Sequence, residues 1–130
     1  MDEHIHSPDN VENRFDHNIA AVGAALKVVK LKGPSLQTLA RLVADASVLY
    51  DVVYVDGSHA ARDVMGDAVL AWALLRPGGV LILDDYRYDH ILDLPPEEYP
   101  KSAIDAFIKL FAKELFVLEV GYQCIVEKCM

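Results

Sequence analysis

The longest ordered hydrophobic pattern in the chain runs from Tyr50 to Tyr86, and its period changes twice. Val52, Val53, Tyr54 and Val55 form an unbroken β-branched and aromatic run that Asp56-Gly57 stops. Val80, Leu81, Ile82 and Leu83 repeat the pattern before Asp84-Asp85. Runs apolar on both faces suit parallel strands covered by helices. Between them, Ala61, Val64, Met65, Ala68, Val69, Trp72 and Leu75 recur every three or four residues, which is one face of a helix. Pro77-Gly78-Gly79 is expected to end that helix. A strand–helix–strand unit crosses over right-handed and leaves its strands parallel. Both strand ends then reach one sheet edge, where open α/β sheets bind ligands. Asp56, Asp84 and Asp85 are therefore expected to be neighbours in space, although far apart in sequence.

The flanking segments are shorter. Residues 1 to 10 read as a polar, acidic tail. His4 and His6 lie two apart, but a pair of ligands on a mobile end makes a poor metal site, so a solvated tail is the expectation. Val11, Phe15, Ile19 and Val22 mark a helix from Asn10 to about Ala25, weakened at its end by Gly23. Lys27 to Lys32 alternates in part and is expected to be a short strand. Gly33-Pro34-Ser35 punctuates the chain, and Ser35 can cap the next helix, whose apolar face is Leu36, Leu39, Ala40, Leu42, Val43 and Ala46. After Tyr86 comes an aromatic and polar stretch with three prolines, an ordered loop or lid. Pro100 opens a last helix with Ala103, Ile104, Phe107, Ile108 and Phe111 on its apolar face. Leu115 to Val120 and Tyr122 to Glu127 read as two strands around Gly121, a tight hairpin or one bent strand pair. The expected architecture is α/β: a mostly parallel sheet with an antiparallel C-terminal hairpin and helices on both faces.

Composition narrows the function classes. At 130 residues with 53% apolar content in periodic segments, the chain is a single globular domain. A net charge of −8 without a basic stripe argues against nucleic-acid binding. No apolar run approaches a membrane span of roughly 20 residues, and the acidic N-terminus is unlike a secretory signal. The two cysteines, Cys124 and Cys129, would lie too far apart on one strand to bridge each other, so a reduced, cytoplasmic setting is expected.

The three strand-end acids are the sharpest chemical signal. Carboxylates converging from two strands can hold a hard divalent cation through oxygen ligands. Strand-end aspartates also serve simply as turns and helix caps, a reading that fits Asp56-Gly57-Ser58 equally well. If all three converge, mutual repulsion calls for a cation, a basic partner or a retained proton. His59 stands near the same edge at a helix start, which favours its neutral form and suits a general base; a surface histidine is the plain alternative. Tyr86, Arg87, Tyr88, Asp89 and His90 occupy the loop beyond. Gly33 and Ser35 mark another turn open to close ligand approach. The sequence has no GxGxxG, nucleophile elbow, zinc-spaced Cys/His set or phosphate loop.

The segment YDVVYVDGSHAARDVMGDAVLAWALLRPGGVLILDDY closely resembles the second half of a class I S-adenosylmethionine-dependent methyltransferase, of the small-molecule O-methyltransferase-like branch. The DG-H pattern after one strand and the GG…DDY pattern around the next carry the match. It extends back through FDHN (Phe15 to Asn18) and KGPS (Lys32 to Ser35), and forward to the hairpin from Val117 to Val126. The resemblance implies a partial Rossmann-like sheet and a set of roles. Gly33, Ser35 and Leu36 would contact the adenine of S-adenosylmethionine. Asp56 would lie beside the cofactor's methionine part and, in metal-dependent relatives, bind Mg²⁺. Asp84 and Asp85 would complete that metal site, and His59 would be the leading base. The reaction implied is direct displacement of methyl from sulfonium by an oxygen of a small hydroxylated molecule.

The family's opening strand, glycine-rich turn, helix and second strand are not found in this sequence, so residues 1–130 are expected to form a truncated methyltransferase domain. In the implied sheet order, 3-2-1-4-5-7-6, the strand at Lys27 to Lys32 then loses its neighbour. It can pair directly with the strand at Tyr50 to Val55, or the open edge can join a second copy as a homodimer. Weak cofactor binding and inactivity of the isolated chain are expected. An assembly or interaction module using the open edge is the alternative from another class, and a metal-binding α/β domain of other chemistry is a third.

Overall fold

The computed structural model describes residues 8–45, 47–88 and 93–130. His4 and His6, with Asp89 and His90 of the loop, lie outside the described residues. The chain forms two compact units, Met1–Lys32 and Gly33–Met130.

In the first unit, helix α1 spans Pro8–Ala21, and Gly23 turns the chain with φ 70. The strand expected at 27–32 is absent; these residues carry no regular structure. A β-segment needs a neighbour to accept its backbone hydrogen bonds. Here the lysines of the segment bind α1 instead. Lys30 Nζ reaches Glu12 at 2.8 Å and Asp16 at 2.9 Å, and Lys32 Nζ reaches Glu12 at 2.7 Å. Hydrogen bonds from the two ammonium groups hold the Glu12 carboxyl down at about 2.

The second unit holds α2 (Ser35–Asp45), β1 (Tyr50–Val55), α3 (Ala61–Leu74), β2 (Leu75–Leu83), α4 (Pro100–Leu110), β3 (Leu115–Val120) and β4 (Cys124–Lys128). The sheet order is β1-β2-β4-β3. β1 and β2 run parallel, as the strand–helix–strand pattern requires. β4 pairs antiparallel with both β2 and β3, so the C-terminal pair is a hairpin. Among the described residues the parallel junction is β1–β2 and the other two are antiparallel. Among the described residues β1 has β2 as its strand neighbour, and residues 27–32 form no strand that could pair.

Helix α3 ends at Leu74, three residues earlier than Pro77 would dictate, and β2 follows without a loop. Lys128 supports this ending: its Nζ donates to the carbonyls of Trp72 at 2.8 Å, which also accepts the Leu75 amide, and of Leu75 at 2.9 Å. Pro77-Gly78-Gly79 forms a bulge inside β2, between the Tyr50–Leu75 and Val52–Val80 pairs. Gly79 has no room for more, since an added Cβ would lie 2.8 Å from the Arg76 carbonyl oxygen. Pro100 starts α4 at its first position, where its missing N–H is not needed.

The core lies where α3 and α4 cover one face of this sheet. Leu81, Leu83, Ile104, Phe107, Cys124 and Val126 are fully buried there. Trp72 meets the rings of Phe107 and Phe111 edge-on at 5.5 and 5.8 Å. The other face is bare: Val52, Tyr54 and Phe116 are 56%, 48% and 60% exposed. No helix of the described residues is long and apolar enough to cross a membrane.

Candidate functional site

The parallel β1–β2 pair carries both strand ends to one rim, and the Asp84 amide extends the ladder by donating to the Val55 carbonyl at 3.0 Å. Asp56, Asp84 and Asp85 converge there, with one carboxylate oxygen from each lying within 4.8 Å of the others. Asp85 adopts a left-handed backbone with φ 61, which breaks the alternation of β2 at its end. Its amide donates to Asp84 Oδ1 at 2.7 Å. His59 Nε2 lies 2.9 Å from Asp85 Oδ2, so the histidine and the acids share one site.

The crowding has an electrostatic signature. The Asp56 carboxyl is pushed above its ordinary range, first by partial desolvation, then by the negative charges of Asp84 and Asp85. Two phenols stand against the same acids. Tyr54 donates to Asp84 Oδ2, and this bond pushes the phenol up to about 12. Tyr122, hydrogen-bonded to Asp85, is also raised. Gln123 Nε2 donates to the Tyr54 hydroxyl oxygen at 3.1 Å. The hairpin turn is thus tied to the rim, and Tyr86 N–H bonds the Tyr122 carbonyl at 2.7 Å to the same effect.

Tyr88 stacks near His59, with ring centroids 4.1 Å apart, and meets Tyr99 edge-on at 6.3 Å. Tyr86 turns away, donating to Asp105 at 2.5 Å under Lys101. Arg87 reaches the Val120 carbonyl at 3.5 Å, not the acids. A small recess is walled by Asp56, His59, Asp84, Asp85 and Pro100 among others. Of the turn and cap that Asp56-Gly57-Ser58 suggested, the turn forms: the Ser58 hydroxyl accepts from the Ala60 amide at 3.1 Å and donates to Asp63 at 2.8 Å, while α3 starts at its N-cap Ala60 without a side-chain cap hydrogen bond.

The Gly33-Pro34-Ser35 turn lies at the start of α2, with Gly33 at φ 138. Leu36 packs on α3 so closely that a Cβ at Gly66 would come within 2.9 Å of its Cδ1. The Ser35 hydroxyl donates to both oxygens of Asp67, at 2.9 and 3.1 Å. Among the described residues Asp67 is the one buried charged side chain, 4% exposed. Desolvation raises its carboxyl, and the Ser35 hydrogen bond offsets part of that. A Cβ at Gly57 would lie 3.5 Å from Asp67 Oδ2, so Asp67 links the Ser35 turn to the turn that follows Asp56. Sequence reading passed over Asp67 and Tyr54. Both left a signal: Asp67 interrupts the apolar face of α3 between Val64 and Ala71, and Tyr54 shares the strand face of Asp56 two residues on.

A methyltransferase domain family model matches residues 1–86. A comparison with curated proteins finds no match. Among solved structures, the chain is similar to an O-methyltransferase from Bacillus cereus in complex with SAH, at 19% identity and a TM-score of 0.72, covering 95% of this chain and 60% of that one. It is similar to TomG from Streptomyces achromogenes, an O-methyltransferase of tomaymycin synthesis in complex with SAM, at 21% identity and a TM-score of 0.69, covering 88% and 55%. MycE of the mycinamycin pathway, in complex with Mg, SAH and mycinamycin VI, matches at 20% identity and a TM-score of 0.60, covering 76% and 31%. The chain thus spans between about a third and three-fifths of these proteins' length. Two parallel strands ending in converging acids, the antiparallel hairpin beside them and the match over two thirds of the sequence lead to one assignment: this chain belongs to the methyltransferase domain family and has the fold of the O-methyltransferases.

Proposed function

We propose that this chain is the acid-bearing portion of an S-adenosylmethionine-dependent methyltransferase that methylates a hydroxyl of a small molecule with the help of a divalent cation. The observation that carries the reading is the convergence of Asp56, Asp84 and Asp85 beside His59 at the end of two parallel strands. The donor set fits a hard cation: three carboxylates, all oxygen, with a raised Asp56 that a cation would relieve. A cation held there would supply Lewis-acid chemistry, lowering the pKa of an acceptor hydroxyl. Mg in the MycE structure supports the choice of ion.

Within this scheme, Asp56, Asp84 and Asp85 would hold the cation. His59 receives the acceptor's proton at Nε2, the atom that now faces Asp85, and the Tyr88 ring beside it limits water. Gly33, Ser35 and Leu36 would meet the adenine, held in register with Asp56 through Asp67. Supplying neither a glycine-rich strand–helix turn nor a ribose-binding acid of that family pattern, the 130-residue chain by itself binds S-adenosylmethionine weakly and is inactive. Isothermal titration tests both halves. Mg²⁺ is expected to give heat that Asp56→Ala abolishes, and S-adenosylmethionine alone to give none. Near-micromolar cofactor binding by the chain would remove the inactivity from the proposal, and Mg²⁺ heat unchanged in the variant would remove the metal.

The bare edge of β1 favours a second reading, in which two copies of this chain pair as a homodimer. Val52 and Tyr54 are exposed on a strand that has β2 as its neighbour among the described residues, and an unpaired apolar edge recruits another strand.

A further inference from the structure

Asp84 is fixed by both of its oxygens: Oδ1 accepts the Asp85 amide at 2.7 Å, and Oδ2 accepts the Tyr54 phenol. The phenol is itself held, because Gln123 Nε2 donates to its oxygen at 3.1 Å. This chain of bonds joins three elements: the edge strand β1, the end of β2 and the turn between β3 and β4. The Tyr54 ring contributes little to the core, being 48% exposed on the bare face of the sheet. Its hydroxyl therefore acts chiefly on the acid. A carboxylate held by one oxygen alone is freer to turn about its last side-chain bond, which would loosen the close set formed with Asp56 and Asp85.

We infer that Tyr54, oriented by Gln123, is a positioning residue for the proposed cation site, setting the plane of the Asp84 carboxylate so that its free lone pairs converge with those of Asp56 and Asp85. The inference rests on the cation reading above. A carboxylate ligand keeps lone pairs for a metal while accepting a hydrogen bond, and such outer partners commonly govern metal affinity. Gln123 acts through Tyr54, so its removal should matter only while the phenol is present.

The test is Mn²⁺ binding to the full chain, followed by the electron paramagnetic resonance signal of the free ion, for wild type, Tyr54→Phe, Gln123→Ala, the double variant and Asp84→Asn. Wild type is expected to bind, and Asp84→Asn to lose binding. Tyr54→Phe should weaken it about tenfold, and the double variant should be no weaker than Tyr54→Phe. The thermal midpoints of wild type and Tyr54→Phe without metal should coincide, which a merely structural role for the hydroxyl would not give. Unchanged or tighter binding in Tyr54→Phe, with Asp84→Asn still deficient, overturns the positioning role and leaves the cation reading standing. Additive losses in the double variant overturn the role of Gln123 through Tyr54. Failure of wild type to bind, or an unaffected Asp84→Asn, overturns the cation reading and this inference with it.

Discussion

The two faces of the four-stranded sheet are built from similar residues and meet opposite surroundings. On one face, Leu81 pairs with Val126 and Leu83 with Cys124, and all four are fully buried beneath α3 and α4. On the other, a row runs Val52, Val80, Glu127, Phe116 across all four strands, and its two ends are more than half exposed. The unbroken apolar runs of β1 and β2 alone would call both faces interior. The difference lies in what covers them, so hydrophobicity along a strand reports the capacity for burial and not its completion.

The sharpest way to break the comparison is to truncate a phenylalanine on each side. Phe107→Ala, beneath the covered face, is expected to cost about 3–5 kcal/mol in urea unfolding. Phe116→Ala, on the bare face, should stay within about 0.5 kcal/mol. Equal losses would mean that the second face is covered in solution. Sedimentation asks the same of the neighbouring edge. If two copies pair along β1, wild type should sediment as a dimer and Val52→Lys as a monomer, because a charge on an edge strand opposes strand addition. A monomer in both cases removes the homodimer.

The smallest effect probes a charge beneath the covered face. The carboxyl of Asp67 is raised by desolvation, so its folded-state value exceeds the unfolded one, near 3.8. Its neutral form is the one that suits the fold. Its favourable contribution is complete below the unfolded value and is lost as pH rises through the folded one. Asp67→Asn should therefore be at least as stable as wild type at pH 7, with the difference closing as pH falls toward 4. Urea midpoints across that range check it, and a variant less stable at pH 7 would show that the Ser35 hydrogen bond outweighs burial.

Much of the central unit was legible in the sequence. The change from period two to period 3.6 and back located β1, α3 and β2, and the handedness of the crossover brought Asp56 and Asp84 together. Local rules failed where tertiary contacts decide. Lys27 to Lys32 has strand-like alternation, yet Lys30 and Lys32 bind acids of α1 and the segment forms no ladder. Pro77-Gly78-Gly79 reads as a helix stop, but α3 had already ended where Lys128, far along the chain, takes up its carbonyls. Tyr54 and Asp67 were obscured for a similar reason. Their partners, Asp84, Gln123 and Ser35, lie 30 to 69 positions away, and no local pattern announces such pairs.

The left-handed turn at Asp85 carries a consequence for how this rim tolerates change. A glycine there would adopt φ 61 freely, and relaxing an L-residue from that region is worth about 1 kcal/mol. Aspartate is among the residues that accept the geometry, but glycine would be the sturdier choice of backbone. Selection for robustness alone would thus erode the carboxylate. An Asp85→Gly chain should therefore fold at least as firmly as wild type, so the aspartate at this position is not there for the sake of its backbone.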